Sequence, residues 1–412
     1  MELTEVLNKR NMVLCLLVLI AMGSFFVAPY LTMVGFSGIM AFYIIASDRE
    51  KNYLAYFFFF IAMTLITCIV ISTKTLDAIM NDKVNYRLSM LEGNGLNIVQ
   101  WVADFQGSDF ISYLFLYISA YLFGVNNEAF AFFYFVSFTL LVVGLYRITG
   151  NSFAIILFMF CCQYTFQGLY GNILRQSLAL SFLVCALSCK TIRNGMALII
   201  LAAMSHFSFI MYGPYIFLRR FFQKVSTPLA LAAFGATYVV GKYFFSILVA
   251  FFPTGSLFSE KAAVYDNDAT FEGSDFGRKL GAIVFFIMII EGGNLFQKYF
   301  LELDESRKRT LEDIRGFFIY GALIFFLCTS FEEISTRYAF NLMIFAFTYA
   351  ILLVGGIKDY MLKCIIYLSL VALLLLMYVY INIVSNQFFY YGDLVSIISD
   401  DLPTILNKIG VF

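Results

Sequence analysis

Charge is what this sequence has least of. Asp, Glu, Lys and Arg make up 13% of its 412 residues, while 61% are hydrophobic and 19% aromatic. A soluble domain carries about 25% charged residues, so a water-soluble globule is excluded and lipid is the solvent that fits. The few charges cancel, 27 basic against 27 acidic, which leaves no net-charge argument for a nucleic-acid or acidic partner. Histidine occurs once, as His206. Eight cysteines (Cys15, Cys68, Cys161, Cys162, Cys185, Cys189, Cys328 and Cys364) all lie inside apolar runs. None forms a CxxC pair or neighbours a second histidine, so neither zinc nor a disulfide framework is indicated, and they read as small packing residues. No P-loop or glycine-rich phosphate cradle is present, which removes support for a nucleotide-dependent cytoplasmic enzyme. No internal repeat is evident, and that weakens a transporter built from inverted halves.

What is present is a series of long apolar runs. A membrane span needs about 20 such residues. The runs predict spans at 11–28, 30–46, 53–72, 128–147, 151–169, 172–190, 226–252, 279–297, 314–330, 336–356 and 360–384. The first follows Lys9 and Arg10 without a clear small-x-small cleavage site, so it reads as an uncleaved span. Cytoplasmic loops collect Lys and Arg. Lys298, Arg307, Lys308, Arg309 and Arg315 make the densest basic stretch, so 298–313 is expected inside. Residues 73–107 and 253–278, rich in Asp, Glu, Gly and Ser, then face outward. Lys190 and Arg193 want the same side as Arg219, Arg220 and Lys224, which asks for two short helices between 195 and 222 with a turn near His206. Residues 108–124 must not cross, or Arg147 falls outside, so they read as an outer interfacial or re-entrant helix. The expectation is an all-α integral membrane protein: a polytopic helical bundle of about 11–13 transmembrane helices, forming one membrane domain over 1–412.

Against this apolar background a few polar side chains stand out. Arg175 lies near the outer end of its predicted helix. A cation in a membrane helix is expensive and marks a functional site by default, although an arginine near a helix end also snorkels to the interface. Its planar fork suits phosphate oxygens. Gln176 adjoins it, and Asn172 lies three residues back on the same helical face. His206 falls where the helix must break, and a near-neutral imidazole suits a general base; the plain alternative is a satisfied core histidine. Arg337 follows Glu332 and Glu333 at the head of a span. It reads either as the partner of Glu333 at i,i+4 or as a second phosphate-binding arginine, with Tyr338 beside it. Arg278 is a further outer cation, for which interfacial anchoring is the plain reading. Asp104 and Asp109 flank the start of the interfacial helix; Asp109 either caps that helix or holds a sugar hydroxyl or a metal.

The order of these features resembles the EpsG/Wzy family of bacterial polysaccharide polymerases. The resemblance rests on Asn172-Ile173-Leu174-Arg175-Gln176-Ser177-Leu178-Ala179, similar to the family's N-x-x-R-Q-x-L-A signature. It continues through a basic turn, Lys190 to Arg193, into Leu201-Ala202-Ala203-Met204-Ser205-His206-Phe207-Ser208, similar to L-A-x-x-x-H-x-S. Residues 128–217 match best. Upstream, Ser108-Asp109 stands where the family often has Glu-Pro. The resemblance implies a GT-C-like glycosyltransferase that needs no metal or other cofactor. Its donor and acceptor would be glycan repeat units on undecaprenyl pyrophosphate, joined into O-antigen or exopolysaccharide on the outer side of the bacterial plasma (inner) membrane. Membrane lipid and a chain-length regulator are the implied partners. On this likeness His206 is the catalytic base, Arg175, Arg337 and Arg278 bind pyrophosphate, and Gln176, Asn172, Asp109 and Tyr338 contact substrate. The rival readings are an O-antigen ligase, with the same chemistry and another acceptor, and a flippase or transporter of the lipid-linked unit.

The topology has a direct test. A cysteine placed by Asn267→Cys should react with an impermeant thiol reagent in intact spheroplasts, whereas one placed by Ser306→Cys should not. The opposite labelling pattern would invert the arrangement of the loops.

Overall fold

The computed structural model describes residues 3–46, 53–72, 82–105, 107–163, 166, 169–170, 173–251, 276–301, 303–329, 332–379 and 399–408. Every regular element among them is helical. The helices divide between two compact units, one made of residues 1–210 and 368–412, the other of residues 211–367. In the first unit lie α1 (Leu3–Phe25), α2 (Pro29–Ala46), α3 (Tyr53–Ser72), α4 (Asp82–Gly93), α5 (Ile98–Asp104), α6 (Phe110–Phe123), α7 (Asn127–Thr149), α8 (Phe153–Cys161), α9 (Leu174–Leu187) and α10 (Ile192–Ser205), with α17 (Leu402–Lys408) from the far end of the chain. The second contains α11 (Gly213–Lys224), α12 (Thr227–Phe251), α13 (Phe276–Phe300), α14 (Glu305–Leu327) and α15 (Glu332–Gly355). The remaining helix, α16 (Tyr360–Val379), passes from the second unit back to the first.

The surface carries the apolar character that composition demands. Met12, Leu19, Phe57, Phe217, Met288 and Leu376 are all more than half exposed. Water-soluble monomers rarely expose contiguous apolar patches larger than roughly a few hundred Å²; side chains such as these suit lipid. Among the described residues, Asn127–Cys161 and Ile334–Gly355 are long and apolar enough to cross a membrane by length and composition, and eight shorter apolar helices accompany them.

At the centre of the first unit, α9 packs between α7 and α10. Every residue of α9 except Arg175 is buried, as expected of a helix apolar all round. Small side chains let it approach α7 closely, which is how helices associate where lipid supplies no hydrophobic drive. A Cβ on Gly144 would lie 2.9 Å from the backbone nitrogen of Cys185, so only glycine fits. The same seam carries polar contacts: Ser137 and Ser181 hydroxyls lie 3.3 Å apart, Tyr170 Oη and Ser181 Oγ lie 3.0 Å apart, and Cys185 Sγ donates to the Leu140 carbonyl at 3.1 Å.

Stretches read from the sequence as loops are partly helical. Residues 73–107 contain α4 and α5. A capping box between Asn97 and Gln100 starts α5, with Gln100 N donating to Asn97 Oδ1 at 2.9 Å and Asn97 N to Gln100 Oε1 at 3.1 Å. The single tryptophan, Trp101, stacks on Tyr117 of α6 at 5.1 Å, and Tyr117 Oη donates to the Leu96 carbonyl at 2.7 Å, which pins this layer down. The stretch 298–313 also narrows, because α13 runs to Phe300 and α14 begins at Glu305 after Asp304 caps the Arg307 amide at 2.7 Å. Residues 253–278 lie almost wholly outside the described residues. The span expected at 151–169 is interrupted, since α8 stops at Cys161 where the polar Gln163 follows.

The break expected between 195 and 222 is present. The first helix, α10, ends at Ser205, His206 adopts an extended backbone (φ −153°, ψ 113°), and a 3-10 turn, Phe207–Tyr212, leads into α11. As for α6, its 14 residues extend roughly 21 Å at 1.5 Å per residue, short of the roughly 30 Å hydrocarbon core.

Buried charge organises the second unit. Arg315, placed by its charge in the basic loop, is instead 5% exposed within α14 and donates to Glu291 Oε2 of α13 at 2.9 Å and to the Val225 carbonyl at 2.9 Å. Thr227 also donates to Glu291 Oε2. Asp313, one turn-face away, is gripped by Arg219 and Gln223, while Tyr215 Oη donates to its carbonyl at 2.9 Å. The reason for the difference is local: a cation next to a polar loop needs only one acidic partner on a neighbouring helix to be drawn inside.

Gly144→Leu should force α7 and α9 apart. Overpacking typically costs about 1–3 kcal/mol, and a loss of several degrees in the thermal unfolding midpoint of purified protein is expected. An unchanged midpoint would mean the close approach is not obligatory.

Candidate functional site

The residues picked out by chemistry fall into both units. Asp109, Arg175, Gln176 and His206 belong to the first; Arg337 and Tyr338, in the first two turns of α15, belong to the second. Arg278 sits in the first turn of α13. Asn172 lies outside the described residues.

Arg175 occupies the first turn of α9. Its Nη1 donates to Asp109 Oδ2 at 2.6 Å, with side-chain exposures of 26% for the arginine and 5% for the aspartate. A snorkelling arginine would reach for water; this one is held by a buried carboxylate. Its guanidinium also lies 5.5 Å from the Tyr113 ring centroid and 5.8 Å from that of Tyr86, within range for cation–π attraction. The fork touches Asp109 through one nitrogen, and Arg175 Nε is buried without a hydrogen-bond partner among the described residues. Such a group is costly unless something pairs with it, so the fork retains donor capacity for an anion.

Asp109 precedes α6 but makes no capping bond to it. Its carboxylate is used elsewhere. Besides Arg175 it accepts the Phe207 amide at 3.0 Å on Oδ1, which also takes the Ser108 hydroxyl at 3.1 Å. Three residues on, Ser112 Oγ donates to the Ser205 carbonyl at 2.8 Å. The turn that carries His206 is therefore gripped from α6. Within it, His206 Nδ1 lies 3.2 Å from Ser208 Oγ and the imidazole packs 6.1 Å from the Phe209 ring. Gln176, next to Arg175, is fully buried in the helix bundle. In the second unit, Tyr338 is buried with its ring 5.8 Å from that of Tyr212, and Asn341 donates to Tyr212 Oη at 3.4 Å. Among the described residues, no group of three His, Cys, Asp or Glu gathers that is able to hold a metal ion.

Several neighbours of Arg175 were not picked out by motif reasoning. Tyr86 and Tyr113 carry no signature, yet a pattern was available: Lys83, Tyr86, Met90 and Gly93 are the buried residues of α4, a helical spacing within a stretch read as loop. Burial pushes the Tyr86 hydroxyl up to about 12, so it is a neutral phenol that offers its ring. Lys83, one turn earlier, is 2% exposed. Its ammonium donates to Asn127 Oδ1 in the first turn of α7 at 3.0 Å and lies 5.2 Å from the Phe130 ring. These contacts fix α4 on α7 and so hold Tyr86 over Arg175.

A family model described as the EpsG family matches residues 79–392. No curated protein and no solved structure matches.

Lys83 gives a pH-dependent prediction. Desolvation first, and the Arg87 charge second, lower its pKa from 10.5 to about 8. Between those values the unfolded chain holds the extra proton, so stability should rise with pH across that window and the full penalty should persist below it. The window corresponds to at most about 3 kcal/mol. Lys83→Met should flatten this part of the stability profile of purified protein and raise the midpoint near neutral pH. A wild-type slope retained by the variant would assign the effect elsewhere.

Proposed function

The chain belongs to the EpsG family, and from that premise we propose that it is a polysaccharide polymerase acting on glycan repeat units carried by undecaprenyl pyrophosphate. The growing chain is the donor and a new lipid-linked unit the acceptor. The enzyme is a metal-independent, GT-C-like glycosyltransferase in the bacterial plasma membrane, and its site faces the exterior. One observation carries the reading: a single carboxylate, Asp109, bonds both Arg175 and the amide directly after His206. The cation suited to a diphosphate and the segment bearing the only imidazole thus form one hydrogen-bonded unit.

The chemistry follows from those groups. Neutral His206 removes the proton from the acceptor sugar hydroxyl. The oxygen attacks the anomeric carbon of the donor, the new glycosidic bond forms, and the bond from that carbon to the phosphate oxygen breaks. The electron pair leaves with undecaprenyl pyrophosphate, in one inverting step. Arg175 receives the developing negative charge through its fork. The family likeness assigns Arg337 and Arg278 to pyrophosphate binding, and Gln176, Asn172 and Tyr338 to the glycans. Arginines that neutralise the leaving group do the work that a divalent cation does in nucleotide-sugar enzymes.

The test uses purified protein and synthetic lipid-linked repeat units. His206→Gln should slow polymerisation by about 100- to 10,000-fold. Arg175→Lys keeps the charge but loses the fork, and a loss of roughly 100-fold is expected. Polymer made by His206→Gln at near the wild-type rate would defeat the general-base assignment. The same result for Arg175→Lys would show that charge alone suffices there.

A further inference from the structure

Asp109 stands in a helix-capping position and does not cap. Its two oxygens reach parts of the chain far apart in sequence: Oδ2 holds Arg175 Nη1 at 2.6 Å and Oδ1 accepts the Phe207 amide at 3.0 Å. On the same face of α6, Ser112 Oγ holds the Ser205 carbonyl at 2.8 Å. His206 lies between the two anchored backbone groups. Its extended backbone ends α10, and both neighbours are tied to one helix.

We infer that Asp109 is a positioning residue that competes with the donor diphosphate for Arg175 while it holds the backbone of His206. This rests on reading Arg175 as the diphosphate ligand. The competition is electrostatic. One N–H of Arg175 serves the carboxylate; a phosphate oxygen that takes the same N–H displaces it, and one on the remaining donors sits beside a like charge in a poorly solvated site, which costs affinity. The displaced carboxylate keeps Phe207 through Oδ1 and Ser108 through the same oxygen. Ser112 acts on the other side of His206, through the Ser205 carbonyl, so the two functions of Asp109, screening Arg175 and anchoring the turn, separate genetically.

The full-length protein in detergent gives two readouts: affinity for inorganic pyrophosphate by calorimetric titration, and polymerisation of synthetic lipid-linked units. Asp109→Asn removes the competing charge but keeps an oxygen for the Phe207 amide. It should bind pyrophosphate about tenfold more tightly than wild type. Asp109→Ala should bind it as tightly, yet its kcat should fall at least tenfold below that of Asp109→Asn, because misplacing a catalytic group by about 1 Å costs on the order of 100-fold. Ser112→Ala should lower kcat at unchanged pyrophosphate affinity. If Asp109→Ala does not fold, Asp109→Asn and Ser112→Ala still decide the matter. Asp109→Asn with wild-type pyrophosphate affinity overturns the competition. Ser112→Ala with wild-type kcat, or Asp109→Ala with the kcat of Asp109→Asn, overturns the positioning role. A wild-type protein that polymerises while the variants depart from this pattern sinks only this inference. One that neither binds pyrophosphate nor polymerises removes the polymerase reading and this inference together.

Discussion

The ion pair between Asp109 and Arg175 is the constraint from which the first unit's polar architecture follows. A helix buried on every side, as α9 is, admits a cation only if an anion meets it. That anion comes from the start of α6, some 66 residues earlier in the chain. Once α6 is held there, Ser112 reaches Ser205 and Asp109 reaches Phe207, and the break after α10 is fixed rather than left to solvent. Tyr113 of α6 and Tyr86 of α4 then close over the guanidinium with their ring faces. A cation with one donor on a carboxylate, two aromatic faces and a buried Nε is pre-organised for a second anion, since the protein has already stripped much of its water.

Trp101 and Lys83 support this arrangement from outside the bundle. The first joins α5 to α6 through Tyr117; the second joins α4 to α7 through Asn127 and Phe130. Both decide where the residues around Arg175 stand. The low pKa of Lys83 is the mark of that work: a buried ammonium disfavours its charged form, and the surrounding packing outweighs the penalty.

The second unit solves a similar problem by a similar means. Arg315 is buried in α14 and finds Glu291 on α13, with Thr227 and the Val225 carbonyl completing the set. Arg219 and Gln223 of α11 converge on Asp313. Where side chains facing lipid gain little by associating, paired charges and hydrogen bonds supply specificity between helices, and small residues such as Gly144 supply close approach.

Much of this was legible in the linear chain. Apolar run length determined the helices, because a helix in lipid must satisfy its own backbone and therefore advertises itself as a long hydrophobic segment. Charge balance across loops predicted the break at His206, because lysine and arginine sort by side of the membrane. The signature around Arg175 and His206 pointed to the family whose model matches residues 79–392. Other features were invisible. Helices α4 and α5 have mixed composition, so hydropathy read them as loop, and only their packing on α6 and α7 explains them. Arg315 looked like a loop cation because a sequence shows charge but not the partner that draws it inward. Asp109 is the sharpest case. One residue written Asp at the head of a helix caps, binds or bridges with equal plausibility. Which it does depends on whether a cation and a backbone amide from distant segments come within hydrogen-bond reach, and only the tertiary structure brings them there.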